Sequence, residues 1–138
     1  MQKTDYDQII VLWTEADGLG VRDSDPVEGI SRYLDRNPGL SFVFEKDSKI
    51  VGTIMSGHDG RRGYIQHLVV SPSERNSGIG RKLVEKCINA LKEVGILKSH
   101  IHVFQTNESG QQFWKHLGWV ERTDLKSFSF INSENQNV

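Results

Sequence analysis

The 138-residue sequence contains a single cysteine, no long apolar run and no excess of basic side chains. One cysteine rules out a disulfide framework within the chain, and Cys87 falls on the apolar side of a predicted helix, which favours packing as its role. The 17 Lys and Arg are balanced by 18 Asp and Glu. A nucleic-acid surface needs clustered basic side chains, so we expect no nucleic-acid partner.

Targeting and anchoring signals are also missing from the pattern. We recognise no secretory signal, no apolar span long enough to cross a membrane and no lipidation motif, so we expect a cytoplasmic protein without a membrane partner. The length fits one domain with a real core. We predict a single domain over residues 1–131, followed by a disordered tail over 132–138, where apolar residues are scarce.

The most informative stretch lies in the middle of the chain. Tyr64–Val70 is rich in β-branched and aromatic residues and precedes Ser71-Pro72, which predicts a strand that ends before the proline. Apolar residues then recur at steps of three and four, which predicts one face of a helix that begins near Gly78: Ile79, Leu83, Val84, Cys87, Ile88 and Leu91.

The turn between this strand and this helix is typical of an anion site. A helix N-terminus has unpaired N–H groups and the positive end of the helix dipole, and both favour a phosphate. Gly78 and Gly80 lack the Cβ that would hold a ligand away, while Arg75 and Arg81 add positive charge. Neither Gly-x-Gly-x-x-Gly nor a Walker loop is present. A tight turn without a ligand stays open as the simpler interpretation.

The element order predicts a mixed α/β (α+β) domain with a mixed, mostly antiparallel sheet and helices on both faces. The first helix is predicted to be capped by Thr4 and to end at Asp17–Gly20, the second to begin at Pro26, and the last to be capped by Asn107. Strands are predicted over Leu40–Glu45, Ile50–Ser56, Tyr64–Val70, Ser99–Phe104, Trp119–Glu121 and Leu125–Ile131.

Two motifs in this order resemble those of the GNAT (Gcn5-related N-acetyltransferase) superfamily. Arg75-x-x-Gly78-x-Gly80, between a buried strand and a long helix, is similar to its pyrophosphate-binding motif. Asn107-x-x-Gly-x-x-Phe-Trp-x-x-Leu-Gly-Trp is similar to the family's Asn-x-x-Ala-x-x-x-Tyr-x-x-x-Gly-Phe. The element order also resembles the GNAT fold over nearly the whole chain, with the opening strand short or missing at Met1–Lys3. The likeness is greatest to bacterial stand-alone acetyltransferases.

The resemblance implies an enzyme that transfers an acetyl group from acetyl-CoA, as cosubstrate, to a primary amine by direct attack in a ternary complex. Cys87 is a poor covalent carrier because it is buried on a helix. The implied cofactor-binding residues supply strand backbone for pantetheine, turn N–H groups for pyrophosphate and the second motif: Leu68, Val69, Val70, Arg75, Asn76, Ser77, Gly78, Ile79, Gly80, Arg81, Asn107 and Trp114.

Two departures from the family concern the proton transfers. The family often places a carboxylate early on the strand before the turn, and Tyr64–His67 contains none. His67 is the preferred base, since an imidazole pKa of roughly 6.5 suits the task, and a hydrogen-bonded sheet histidine is the alternative. Trp114 stands where the family's acidic tyrosine would fall, and an indole cannot donate that proton. Tyr64 or solvent would replace it.

The acceptor and the possible metal are less constrained. His100-x-His102 lacks a convincing third ligand, so we predict no metal site. Acidic residues at Asp17, Asp23, Asp25 and Glu28 would attract a cationic small-molecule or peptide amine, although a merely exposed acidic loop is equally compatible. A homodimer stays open. A non-enzymatic acyl-CoA sensor and a phosphate- or nucleotide-binding module are the competing functions.

Overall fold

The computed structural model describes residues 1–16 and 25–135. Its helices are α1 (Tyr6–Glu15), α2 (Val27–Arg36), α3 (Ile79–Glu93) and α4 (Glu108–His116), with short 3₁₀ turns at Lys3–Asp5 and Pro72–Glu74. Its strands are β1 (Phe42–Lys46), β2 (Lys49–His58), β3 (Gly63–Val70) and β4 (Ser99–Ile101). No helix in these ranges is both long enough and apolar enough to span a bilayer.

The four strands form one mixed sheet in the order β1-β2-β3-β4. The first three are an antiparallel meander, and β4 lies parallel to β3 after the crossover through α3. Parallel neighbours require such a crossover, because a tight turn can join only antiparallel strands. The predicted fold class, a mixed sheet with helices on both faces, is confirmed.

Each face of the sheet has its own apolar core. The α3 and α4 side buries Val51, Ile54, Ile65, Ile79, Leu83, Val84, Cys87 and Trp114. The α1 and α2 side buries Ile9, Leu12, Trp13, Ile30, Ile50, Met55 and Val69. Strand β2 is covered on both sides and buried along nearly its whole length, so it is the centre of the domain.

The two predicted closing strands are wrong. Over residues 119–131 the described chain forms no strand, and Phe128 and Phe130 are each 90% exposed. The two segments have the alternating apolar pattern that favours a strand. A strand also needs a neighbouring strand to pair with, and the local sequence does not supply one. Strand β4 likewise ends at Ile101 instead of Phe104.

The predicted helix starts differ by a few residues from the observed ones. Thr4 lies inside the 3₁₀ turn, so it does not cap α1, which follows Asp5. Pro26 precedes α2 as its N-cap residue instead of occupying the first helical position. Within the described residues no strand precedes α1, and the predicted end of the first helix at 17–20 lies outside them.

Candidate functional site

Strands β3 and β4 separate part-way along their length. They pair only through Gly63–Ile65 and Ser99–Ile101. Beyond Ile65, β3 continues to Val70 without a partner strand on this side in the part of the chain described. Backbone groups that face this gap are available to an extended ligand that adds itself as a strand. The predicted pantetheine-binding residues Leu68, Val69 and Val70 lie along this edge.

A bulge in β3 adjoins the gap. The register with β2 passes from Thr53 opposite Val69 to Met55 opposite Gln66, so β3 contains one extra residue. His67 adopts φ +50°, in the left-handed region that few non-glycine residues occupy. As a result Gln66 and His67 both lie on the α1 and α2 side of the sheet, although consecutive strand residues normally alternate.

Thr53 holds the bulge in place. Its hydroxyl accepts a hydrogen bond from the Trp13 indole at 2.8 Å and donates one to the His67 carbonyl at 3.1 Å. Thr53 and Trp13 are both fully buried. Helix α1 is therefore connected to the bulge through one threonine hydroxyl.

Replacing this hydroxyl should destabilise the protein. Thr53→Val leaves the Trp13 indole N–H and the His67 carbonyl without partners, and each unsatisfied buried group costs about 1–3 kcal/mol. Urea unfolding should show a lower midpoint with an unchanged slope. Thr14→Val is the control, because the Thr14 hydroxyl bonds the Ile10 carbonyl on an exposed helix surface. Equal midpoints for the two variants would contradict the role of Thr53.

The turn before α3 has an unusual backbone. Asn76 has φ +62° and Gly78, the N-cap residue, has φ +82°. No side chain caps the helix, so the N–H groups of its first turn point outward without a partner from the described chain. A salt bridge of 2.8 Å between Lys46 and Glu74 connects the turn to β1. Left-handed residues beside a helix N-terminus form a concave set of N–H groups suited to an anion.

The two glycines of this turn have different roles. A Cβ on Gly80 would lie 3.2 Å from the Phe113 ring, so Gly80 allows the turn to pack against α4. A Cβ on Gly78 would meet no atom within 4 Å, which leaves open space above the helix end. Arg75 and Arg81, which flank Gly78 in the sequence, are both exposed. The turn therefore combines open space, a helix N-terminus without a side-chain cap and two exposed guanidinium groups, and its role as a pyrophosphate site stays a prediction.

Helix α4 presents the second motif. The Asn107 side chain accepts a hydrogen bond from the Gly110 N–H at 2.9 Å and so caps the helix, as the sequence predicts. Trp114 is buried in the core and packs edge-on against Phe113 and Trp119, with ring centroids 5.3 Å and 4.7 Å away. Phe113 in turn contacts the α3 turn. The cofactor roles of Asn107 and Trp114 stay predictions.

His67 lies in an apolar and acidic environment. Its side chain is 14% exposed, its ring is 4.2 Å from the Trp13 ring, and Nε2 is 3.4 Å from the Asp25 Oδ2. Burial lowers the pKa of His67 below its ordinary value, and the Asp25 carboxylate only partly offsets this effect. The imidazole is therefore neutral near pH 7, as a proton acceptor must be.

A cleft of about 470 Å³ opens between α2 and the sheet. It is lined by Asp25, Gly29, Ile30, Arg32, Tyr33, Arg36, Asn37, Met55 and Gln66. The α2 wall of this cleft is not among the predicted site residues, although the spacing of Gly29, Arg32, Tyr33 and Arg36 is that of one helix face. A smaller cleft of about 200 Å³ continues past Tyr33 and Gln66 to Tyr64 and His58.

The comparisons with known proteins agree with this arrangement. Residues 7–119 match the model of the acetyltransferase (GNAT) family. The chain belongs to the GNAT family. An acetyltransferase of Pectobacterium atrosepticum is 34% identical over 78% of this chain and 76% of its own length. One from Yersinia enterocolitica is also 34% identical, over 91% and 84% respectively. This GNAT protein is therefore an acetyltransferase.

Solved structures show the same GNAT fold. An acetyltransferase of Staphylococcus aureus superposes with a TM-score of 0.77 at 23% identity, over 96% of this chain and 91% of that one. The paiA N-acetyltransferase of Thermoplasma acidophilum, solved in complex with coenzyme A, superposes with a TM-score of 0.74 at 17% identity, over 85% and 84%. At these identities the likeness concerns the fold alone.

In this GNAT domain, the predicted proton donor and the acidic residues predicted to attract the acceptor amine do not form one cluster. Tyr64 is 38% exposed, and its ring centroid is 6.0 Å from that of His100. Asp25 is buried beside His67 instead of lying on an exposed rim, while Glu28 is exposed. Asp17 and Asp23 lie outside the described residues. No group of three or more His, Cys, Asp or Glu within 1–16 and 25–135 is arranged to hold a metal ion.

Proposed function

We propose that this GNAT protein is an acetyl-CoA-dependent N-acetyltransferase that acetylates a primary amine by direct attack in a ternary complex. The observation that carries this proposal is the continuity of the unpaired β3 edge with the uncapped N-terminus of α3. The β3 edge can pair with an amide-containing arm, and the chain then leads to the turn before α3, which suits an anion. In coenzyme A the pantetheine arm and the pyrophosphate follow each other in the same order. The coenzyme A bound to the paiA relative supports the same ligand class.

The residues present fit this cosubstrate. Backbone groups of Leu68–Val70 would bind the pantetheine arm, and the N–H groups from Asn76 to Arg81 would bind the pyrophosphate. Gly78 leaves the space that a side chain would fill. Acetyl-CoA supplies an activated thioester carbonyl when bound. An N–H group of β3 next to the bulge at His67 would polarise that carbonyl.

His67 is the proposed base for the acceptor. An alkylammonium ion cannot attack a carbonyl, so it must first lose a proton, directly or through water. The neutral His67 imidazole would accept this proton, and the Asp25 carboxylate at 3.4 Å would stabilise the resulting imidazolium. A thiol pKa of roughly 8.5 makes a thiolate an acceptable leaving group, so the acid, Tyr64 or solvent, is less critical.

Titration calorimetry with acetyl-CoA and then with ADP tests the ligand. We expect acetyl-CoA to bind at least about tenfold more tightly, because the β3 edge recognises the pantetheine arm that ADP lacks. Equal affinities would favour a phosphate- or nucleotide-binding module. Tight acetyl-CoA binding without release of free thiol in the presence of any amine would favour a non-enzymatic acyl-CoA sensor instead.

We take the acceptor to be a small-molecule or peptide amine and the location to be cytoplasmic. The space available for it is the open cleft lined by Asp25, whose carboxylate contacts His67. This cleft lies on the α1 and α2 side of the sheet, and the core covered by α3 and α4 lies on the other side. An amine in this cleft would approach the β3 bulge from one side while the thioester lies in the gap between β3 and β4.

A further inference from the structure

The wall of the larger cleft formed by α2 is basic. Arg32 and Arg36 are four residues apart, so they lie on the same helix face, one turn apart. Neither guanidinium forms a salt bridge or a side-chain hydrogen bond with any residue in 1–16 or 25–135. Other surface cations do have carboxylate partners, as Lys3 has Asp35 and Arg122 has Asp124. Two positive charges thus face the cleft.

Tyr33 lies next to Arg32 on α2 and lines both clefts. Its hydroxyl oxygen is inaccessible to solvent and has no hydrogen-bond partner in the described chain, so it does not reach the open surface of either cleft. Burial raises the pKa of Tyr33 to about 12, so the hydroxyl stays neutral at physiological pH. The charged groups that the α2 wall offers to a ligand are therefore the guanidinium groups of Arg32 and Arg36.

The opposite end of the cleft is acidic. Asp25 is the only carboxylate that lines it within the described residues, and it is the residue in contact with His67. The two arginines and Asp25 therefore give the described part of the lining a formal charge of +1. A carboxylate carries one negative charge, whereas a phosphate carries close to two at pH 7. A guanidinium also matches the planar carboxylate with two parallel hydrogen bonds.

On the basis of the proposed N-acetyl transfer, we propose that the acceptor is a small primary amine that also carries a carboxylate. Its amine would point to Asp25, whose carboxylate contacts His67, and its carboxylate to Arg32 and Arg36. The two ends of one zwitterionic molecule would then match the two ends of the cleft. A purely cationic amine, such as a polyamine, would place positive charge against the α2 wall.

Matched pairs of acceptors test this inference. Free amino acids and their carboxamides differ in the carboxylate alone, and the rate of acetyl transfer is followed by the release of free thiol. We expect kcat/KM to favour the free acid by at least about tenfold, the effect of one charged hydrogen-bonding pair. A preference for the free acid cannot come from amine basicity. The amine of the carboxamide is less basic and more often unprotonated, so without discrimination in binding the carboxamide would react faster.

Variants of the α2 wall locate the effect. Arg32→Gln and Arg36→Gln should each raise KM for the free acid about tenfold, while KM for acetyl-CoA and the rate with the carboxamide stay unchanged. Arg122→Gln removes a guanidinium that does not line either cleft and should change none of these values.

The possible results separate the inference from the proposed function. Acetyl transfer that shows no preference for the free acid, or a preference that survives both α2 substitutions, overturns the inference alone. Coenzyme A binding without transfer to any free acid overturns it as well. Failure to bind coenzyme A removes the proposed function and the inference together.

Discussion

Gly78→Glu is expected to lower the affinity for acetyl-CoA by about 10²–10⁴-fold. The glutamate fills the open space above the α3 N-terminus and puts a negative charge where the pyrophosphate would bind. At least two charge-assisted hydrogen bonds would be lost, each about 1.5–3 kcal/mol, and each 1.4 kcal/mol is a tenfold change in affinity. Titration calorimetry of the purified variant measures the loss.

The control must reproduce the backbone strain of this substitution. Gly95 follows the other end of α3, has φ +85° and likewise has no atom within 4 Å of an added Cβ. Gly95→Glu therefore carries a similar penalty for a side chain in the left-handed region, about 1–2 kcal/mol, without touching the turn. Similar melting temperatures with affinity lost only in Gly78→Glu would support the site. Equal affinities in the two variants would refute it.

Gly80→Glu is a weaker test of the same turn. Its Cβ would already lie 3.2 Å from the Phe113 ring, so the substitution would disturb the packing of α4 as well as the ligand site. Loss of binding in that variant would not separate the two causes.

His67→Asn should lower kcat by about 10²–10⁴-fold, the usual contribution of a general base. Asparagine is suitable because it tolerates the left-handed conformation that His67 adopts in the bulge. The acid limb of the kcat profile should also disappear. In the wild type that limb should lie below pH 6.5 or so, because burial lowers the pKa of His67 and protonation inactivates the base.

The same substitution should change how stability depends on pH. Below about pH 6.5 the unfolded chain protonates at His67 before the folded one does, so the wild type loses stability as the pH falls toward the folded pKa. His67→Asn lacks this contribution, and its melting temperature should fall less between pH 7.5 and 5. His116→Asn, on the exposed surface of α4, is the control. A wild-type kcat and an unchanged acid limb in His67→Asn would exclude His67 as the base.

The elements that were predicted well carry their signal locally. Apolar residues at helical spacing placed α3 from near Gly78 to Leu91, and the structure has Ile79–Glu93. Polar turns between apolar runs gave the β1-β2-β3 meander, whose strands are neighbours in the sequence as well as in the sheet. Asn107 as an N-cap follows from one side chain and the helix that begins after it.

The features that were missed depend on partners far away in the sequence. Nothing in β3 itself specifies the bulge, because the conformation of His67 is set by its pairing with β2 and by Thr53, which is held in turn by Trp13. The exposed segment around Phe128 has a strand-like pattern but no partner edge. The burial of Asp25 beside His67 likewise requires the packing of the chain before α2 onto the sheet.

The α2 wall is a different case, because its signal was present in the sequence. Gly29, Arg32, Tyr33 and Arg36 share one helix face. Ile30, Tyr33 and Leu34 form an apolar stripe on the same helix, which packs into the core on that side of the sheet. Tyr33 belongs to both groups. Only the structure shows that Arg32 and Arg36 line the same cleft as Asp25.

The short pairing between β3 and β4 has a consequence for how the domain fluctuates. Strands β1 to β3 are connected by tight turns and share a buried central strand, whereas β4 is held by three paired residues at the edge of the sheet. The free energy of local opening should therefore be lowest along β4, well below that of global unfolding. A ligand that binds in the gap between β3 and β4 would supply the hydrogen bonds that these strands do not make to each other. Part of its intrinsic binding energy would then be used to order β4. Because the ligand binds only the folded edge, its occupancy would raise the stability of the domain by mass action.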